Sequence, residues 1–326
     1  MADQTLLKVE DLEVTFALRA GDYQAVKGVS FQLDRGGRLG LVGESGAGKS
    51  ITGFSIINLI SPPGRISGGR VLFEGRDLSK LSPEAMRSIR GDRVAMIFQD
   101  PMMTLNPVLT VGQQMVETIR AHRSISQAEA EALAVAKLAK VHIPSPERRL
   151  RQYPHEFSGG MRQRIVIAIS LLADPALIIA DEPSTALDVT IQAEIMELLL
   201  ELCESERMGL ILISHDLGVV SQVSQRMAIM YAGHIVEMGP TEAIVRAPRH
   251  PYTQGLLAAL PGLQSRRGRL NQIPGVMPGL TNIPPGCPFH PRCQSAKDVC
   301  RTELPALISR RDHAVACHLT REEAQA

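Results

Sequence analysis

The stretch Gly43-Glu44-Ser45-Gly46-Ala47-Gly48-Lys49-Ser50 constrains this chain more than any other. It fits the spacing G-x-x-x-x-G-K-[ST] of a phosphate-binding loop. Glycines let backbone N–H groups close around phosphate oxygens with no Cβ in the way. Lys49 adds a mobile point charge for the outer phosphates, and Ser50 adds a hydroxyl for Mg²⁺. Arg38-Leu39-Gly40-Leu41-Val42 reads as a short buried strand before the loop, and Ile51 to Ile60 as a helix after it. That helix directs the partial positive charge of its N-terminus at the phosphates. Strand, loop and helix in this order predict an α/β fold with a parallel-sheet core.

The bulk numbers narrow the classes. A chain of 326 residues holds two domains, or one with a sizeable appendage. Lys and Arg total 35 against 34 Asp and Glu, so a general nucleic-acid binder working through a basic surface is disfavoured. Aromatic residues are 3% with no Trp, which argues against base-stacking platforms. No apolar run reaches the roughly 18 residues of a membrane span. Met1-Ala2-Asp3-Gln4-Thr5 lacks the basic and apolar regions of a signal peptide, so an intracellular protein is expected. Structural disulfides are then not expected among the five cysteines. Cys203 lies in an apolar helical run and reads as a core residue.

Taken in order, Leu6 to Phe16 and Ala25 to Leu33 read as two strands of an antiparallel β flap. Phe16 and Tyr23 are its aromatics, and either could stack on a nucleotide base. Gly69 to Glu74 reads as a strand. Ser82-Pro83-Glu84 starts a helix, with Ser as cap and Pro at the first position. Val94 to Phe98 is apolar on both faces and suits the middle of a parallel sheet. A helical subdomain follows over about 107–173, with Val111 to His122 as one helix and Ser126-Gln127-Ala128-Glu129 as a capping box. The sheet resumes with Ala176 to Ala180, followed by a helix over Ile191 to Cys203 and a strand over Gly209 to Ile213. Met227 to Tyr231 and His234 to Glu237 form a hairpin across Ala232-Gly233. Prolines crowd the chain beyond Ala247, which predicts a core domain over 1–246 and a small cysteine-containing extension over 247–326.

Ligands of open parallel sheets bind outside the carboxyl ends of the strands. Gln99, Asp181-Glu182 and His215 all fall at such ends. Phosphoryl transfer to water needs a metal to neutralise charge and a group to deprotonate the water. Asp181, after an apolar strand, suits Mg²⁺. Glu182 is the natural general base. His215 can bond the terminal phosphate or the water, and Gln99 can reach Mg²⁺ through its amide. Ser158-Gly159-Gly160 opens another helix and makes a second phosphate cradle. One nucleotide does not need two cradles from one chain. A head-to-tail pair of subunits, each closing the other's site, resolves the excess.

These stretches, in this order, resemble the ABC ATPases. Gly43–Ser50, Gln99, Phe157–Met161, Leu177–Glu182, Thr185-Ala186-Leu187-Asp188 and His215 are similar to that family's Walker A, Q-loop, signature, Walker B, D-loop and switch histidine. The resemblance spans roughly Leu6 to Gly239. It implies ATP and Mg²⁺ as ligands, a nucleotide-sandwich dimer, and hydrolysis that moves another component. It further implies Glu182 as catalytic base, His215 as switch, Asp188 at the dimer interface, and Phe16 on the adenine with Tyr23 as the alternative. Met161 stands where the family's signature usually has Gln. Phe98–Pro107, Phe157–Arg164 and His250-Pro251-Tyr252-Thr253 resemble the dipeptide/oligopeptide importers, in particular their D-type ATPase subunit. That resemblance implies an F-type ATPase partner, two membrane permeases, an extracytoplasmic solute-binding protein, and a peripheral position on the cytoplasmic face of the bacterial inner membrane. The rival class is a soluble ABC ATPase acting on nucleic acid or ribosomes, but no sustained heptads or second nucleotide domain accompany the motifs.

Cys287, Cys293, Cys300 and Cys317 are separated by five, six and sixteen residues. Four thiolates can hold Zn²⁺ or an iron–sulfur cluster, and a metal staple would help so small a region to fold. The Cys287-to-Cys293 stretch resembles the C-terminal region of the peptide importers, which implies a [4Fe-4S] cluster on these four cysteines. His290, His313 and His318 are the reserve ligands.

Overall fold

The computed structural model describes residues 5–185, 187–260 and 272–322, and the chain in it forms two compact units. One comprises 7–33, 38–79 and 212–326. The other comprises 80–211 with two short N-terminal pieces, and the division falls inside the strand Gly209–Ser214.

In the first unit the phosphate loop grows out of the strand Arg38–Val42, buried along nearly its whole length. This strand pairs in parallel with Arg226–Tyr231, from Leu39 opposite Arg226 to Val42 opposite Ile229. Both are apolar runs, as a strand covered on both faces requires. Arg226–Tyr231 turns back antiparallel into His234–Pro240. The connection is Ala232-Gly233 with φ of 47° and 88°, the doubly left-handed turn that matches strand twist. A four-stranded antiparallel sheet lies in the same unit, with Thr5–Leu18 between Gly21–Asp34 and Gly64–Phe73. The expected flap is therefore broader than two strands. The strand expected at Gly69 to Glu74 is its third member, beginning at Gly64.

Downstream of Ala247 more regular structure forms than proline content suggests. A helix runs over Pro251–Ala258. Pro251 occupies its first position, where no N–H is needed, and His250 caps it by accepting from the Tyr252 N–H at 3.1 Å. Proline here begins a helix rather than breaking one. Further on, His313–Val315 adds antiparallel to His234–Pro240, and Ile308–Arg310 adds outside it. Glu237, fully buried, ties the region together. Its carboxylate accepts from the N–H groups of Arg249 and His250 at 2.7 and 3.0 Å and meets His313 Nε2 at 2.7 Å.

In the second unit Val94–Ile97 and Leu177–Asp181 pair in parallel. Between them the chain builds helices over Val111–His122, Gln127–Lys140 and Gly159–Ser170. The first two begin with full capping boxes, Thr110 with Gln113 and Ser126 with Glu129. Their apolar faces meet through Met115, Val116, Ile119, Ala134 and Leu138, all buried. Among the described residues no helix is long and apolar enough to cross a membrane.

Burial holds His250 neutral, with its pKa lowered to about 3, and burial with nearby Lys27 lowers that of His234 to about 4. An unfolded chain would protonate both near 6.5 and so bind more protons than the folded one at mildly acid pH. Thermal midpoints should stay level above about pH 6.5 and fall as pH drops from there towards 4. His250→Asn, which keeps a capping acceptor, should flatten the fall. A profile unmoved by that substitution would assign the acid sensitivity to other groups.

Candidate functional site: a phosphate loop clamped by the C-terminal region

The glycines of the loop are dictated by close approach. A Cβ on Gly43 would lie 2.3 Å from the Met230 carbonyl oxygen. Gly48, at φ 101°, would place one 2.9 Å from the Ala25 carbonyl oxygen. Gly48 is also the N-cap of the helix Lys49–Ile56, and no side chain caps that end. Such a terminus, with its dipole, is the end of a helix that a phosphate caps. The helix starts two residues earlier than expected and stops sooner, where Asn58 turns left-handed at φ 49°. Lys49 is buried, and its Nζ donates to the carbonyls of Gly43 and Glu44 at 2.7 and 3.0 Å. These two carbonyls help to hold the ammonium inside the loop, where it can also donate to an anion.

A cavity of 470 Å³ opens on the loop. Ser45, Gly46, Gly48, Lys49 and Ser50 form its polar floor, and Phe16 and Leu18 stand on its apolar side. Of the two aromatics singled out in the flap, Phe16 lines this cavity. Tyr23 lines a separate hollow with Asp22 and Arg65 and donates its hydroxyl to the Ala20 carbonyl at 3.3 Å.

Glu44, variable in the motif, has a defined task here. Its carboxylate receives both Arg292 terminal nitrogens, at 2.8 and 3.0 Å, in a bidentate pair. Its N–H donates to the Tyr252 hydroxyl at 2.9 Å. Arg292 also donates to the Tyr231 hydroxyl at 3.3 Å. Tyr231, Tyr252 and Phe289 pack edge-on or tilted, with centroids 4.8 to 5.4 Å apart. Burial pushes both tyrosine hydroxyls above their ordinary range, so both stay neutral.

In the second unit, Asp181 ends its strand and is buried. Glu182 follows at φ 47°, a conformation that a non-glycine residue holds only when its surroundings enforce it. The Glu182 Oε2 accepts from Gln99 Nε2 at 3.2 Å and from Thr185 Oγ1 at 2.9 Å. Two donors on one oxygen fix the plane of the carboxylate. Thr185 was noted in the sequence only as part of a motif, although its position three residues after Glu182 is the spacing of a hydroxyl that can turn back onto it.

Ser158 caps Gly159–Ser170, accepting from the Met161 N–H at 3.4 Å, and is itself exposed. Gly160 is required for packing, since a Cβ there would lie 2.7 Å from Ile191 Cγ2. Asp188 caps Val189–Glu206 through the Ile191 N–H at 2.9 Å. His215, in the first unit, is exposed just past the strand Gly209–Ser214. Ala186 lies outside the described residues.

None of the five cysteines forms a disulfide. Cys287, Cys293, Cys300 and Cys317 line one small hollow with His250, His290 and His318. Burial raises the thiol pKa of Cys287 to about 11 and raises those of Cys293 and Cys317. Among the described residues no three His, Cys, Asp or Glu side chains stand in a ready metal-holding arrangement. The thiols converge on one hollow, and burial disfavours the charged form of Cys287, Cys293 and Cys317.

The family model described as "ABC transporter" matches residues 26–185. That described as "Oligopeptide/dipeptide transporter, C-terminal region" matches 236–300. The dipeptide transport ATP-binding protein DppD of Bacillus subtilis is 48% identical over 324 residues, covering 99% of this chain and 97% of its own. DppD of Escherichia coli is 47% identical, covering 98% of each. The chain belongs to the ABC transporter ATP-binding proteins. As an ABC ATPase it hydrolyses ATP on an α/β cassette. Among solved structures, a dimeric, post-hydrolysis form of the cassette MJ0796 bound to ADP and Pi is similar, with a TM-score of 0.65 and 25% identity. It covers 72% of this chain and 98% of that one. The stretch of this ABC ATPase matched by the C-terminal family model includes Arg292 and three of the tail cysteines.

Arg292→Ala would leave the Glu44 carboxylate part-buried without its main partner. Loss of one member of such a pair costs about 3 kcal/mol. Lower denaturant midpoints and weaker ATP binding are expected, with only partial recovery in Arg292→Lys, which cannot form the two-pronged contact. Wild-type ATP affinity in Arg292→Ala would show that the clamp does not shape the loop.

Proposed function

We propose that this chain is the ATP-hydrolysing subunit of a bacterial importer of dipeptides or oligopeptides. The single observation that carries the reading is similarity at nearly full length, tail included, to proteins named for peptide transport. Two membrane permeases, an extracytoplasmic solute-binding protein and a second, F-type ATPase complete the assembly. The chain sits peripherally at the cytoplasmic face of the membrane. Within the stretch 99–108, Met103 of the short helix Pro101–Thr104 and Val108 are 85% and 75% exposed, an apolar surface suited to contact with a permease.

In this reading the loop Gly43–Ser50 holds the ATP phosphates, and Lys49 donates to them. Ser50, Asp181 and Gln99 are the residues that would hold Mg²⁺, which would supply neutralisation of charge on the phosphates. Glu182, oriented by Gln99 and Thr185, takes a proton from the attacking water, and His215 bonds the terminal phosphate. Ser158-Gly159-Gly160 of this chain closes on the nucleotide of the ATPase partner. The exposure of Ser158 and Gly159 supports this, because a surface cradle is one that another subunit can reach. ATP binding closes the pair and hydrolysis reopens it.

Cys287, Cys293, Cys300 and Cys317 are the proposed ligands of a [4Fe-4S] cluster, with Zn²⁺ as the competing occupant. Their shared hollow and all-thiol character suit soft metals, whose charge stabilises the thiolates that burial otherwise disfavours.

Glu182→Gln in the assembled transporter should lower hydrolysis by about a hundredfold or more while ATP still binds. Turnover near the wild-type rate would remove Glu182 from its role as base. Anaerobically purified protein should carry about four iron atoms and four labile sulfides per chain. Zinc without iron would replace the cluster with a structural zinc site.

A further inference from the structure

The cavity above the phosphate loop has a wall contributed by the tail. Met277, Pro278, Gly279, Leu280 and Ile283 line it together with Phe16 and Leu18 of the flap. Met277 approaches the glycine turn of the loop: its Cγ lies 3.8 Å from where a Cβ on Gly46 would be. The segment is anchored. Arg292, while gripping Glu44, donates its Nε to the Pro274 carbonyl at 2.8 Å and a terminal nitrogen to that of Gly275 at 3.4 Å. Downstream, the Asn282 N–H closes a turn onto the Gly279 carbonyl at 2.9 Å. Met277, Leu280 and Ile283 are apolar yet only partly buried, facing a 470 Å³ space whose floor is polar.

We propose that the 277–283 segment is a nucleotide-binding element, which covers the purine ring of ATP with Met277 and Leu280 while Phe16 supplies an aromatic contact. The proposal rests on the ATP reading and adds to it that the C-terminal region, not only the cassette, determines base affinity. The division of chemistry supports it. A nucleoside triphosphate has a charged end for Lys49, Ser50 and the helix terminus, and a ring with flat apolar faces. The cavity has the same two halves. A thioether and a branched aliphatic side chain suit a heteroaromatic face, through sulfur–aromatic contact and removal of apolar area from water. The contact is made to the base alone, so it changes binding rather than the chemical step.

The test compares ATP with inorganic tripolyphosphate, which has the charges and no base, binding to the full-length chain with Mg²⁺. Met277→Ser combined with Leu280→Ser should weaken ATP about tenfold and leave tripolyphosphate within about twofold. Met277→Leu, which keeps an apolar side chain, should stay near wild type. In the assembled transporter the double variant should raise KM for ATP with little change in kcat. Unchanged ATP affinity would overturn the proposal. So would equal weakening of both ligands, which would make the segment a prop for the loop instead of a cover for the base. Wild-type chain that binds tripolyphosphate but not ATP overturns the base pocket alone. Wild-type chain that binds neither overturns the nucleotide reading beneath it.

Discussion

The bidentate pair between Glu44 and Arg292 is the contact on which the first unit depends. It joins positions 248 residues apart and lies at the crossing of three chain segments. Glu44 belongs to the phosphate loop. Arg292 reaches the carbonyls of Pro274 and Gly275 and the Tyr231 hydroxyl, and it precedes Cys293 directly. Tyr252 adds a second hold by accepting the Glu44 N–H. A loop that must present N–H groups in fixed directions gains from being held at both the side chain and the backbone of one residue, since a preorganised site loses less entropy on binding.

The two units solve the same problem of placing polar groups at strand ends by different means. Around the phosphate loop, close approach of backbones excludes side chains, so glycine decides the shape. At Asp181-Glu182 the backbone itself is bent into a left-handed step, and Gln99 and Thr185 secure the carboxylate that results. Both arrangements place demanding geometry at the end of a buried apolar strand, where the surrounding core is stiff enough to hold it.

Local signals carried most of the cassette. The Ser126 and Ser158 caps, the Val111–His122 helix and the Ala232-Gly233 turn all rest on interactions within four residues, and the sequence states them directly. The tail was less legible for a physical reason. Its order comes from partners distant in the chain: Glu237 for His313, Glu44 for Arg292 and Tyr252. No periodicity announces such pairs. His250 is instructive, because a histidine before a proline resembles a loop until its ring nitrogen is seen to cap the helix that the proline begins. The choice between Phe16 and Tyr23 was likewise a matter of tertiary placement, as both sit on neighbouring flap strands and only one lines the cavity above the loop.

The strand His313–Val315 has a consequence for how the protein is made. It pairs beside His234–Pro240 near the end of the chain, in a unit whose other parts come from 7–33 and 38–79. Those early segments leave the ribosome long before the residues that complete their core. The phosphate loop therefore waits, incompletely packed, through synthesis of the whole intervening unit. Once it is made, the Arg226–Tyr231 and His234–Pro240 hairpin has an uncovered edge until residues 313–315 follow, the kind of template that invites pairing with other chains. His313–Val315 covers this edge, so it stays open to association until translation has passed residue 315.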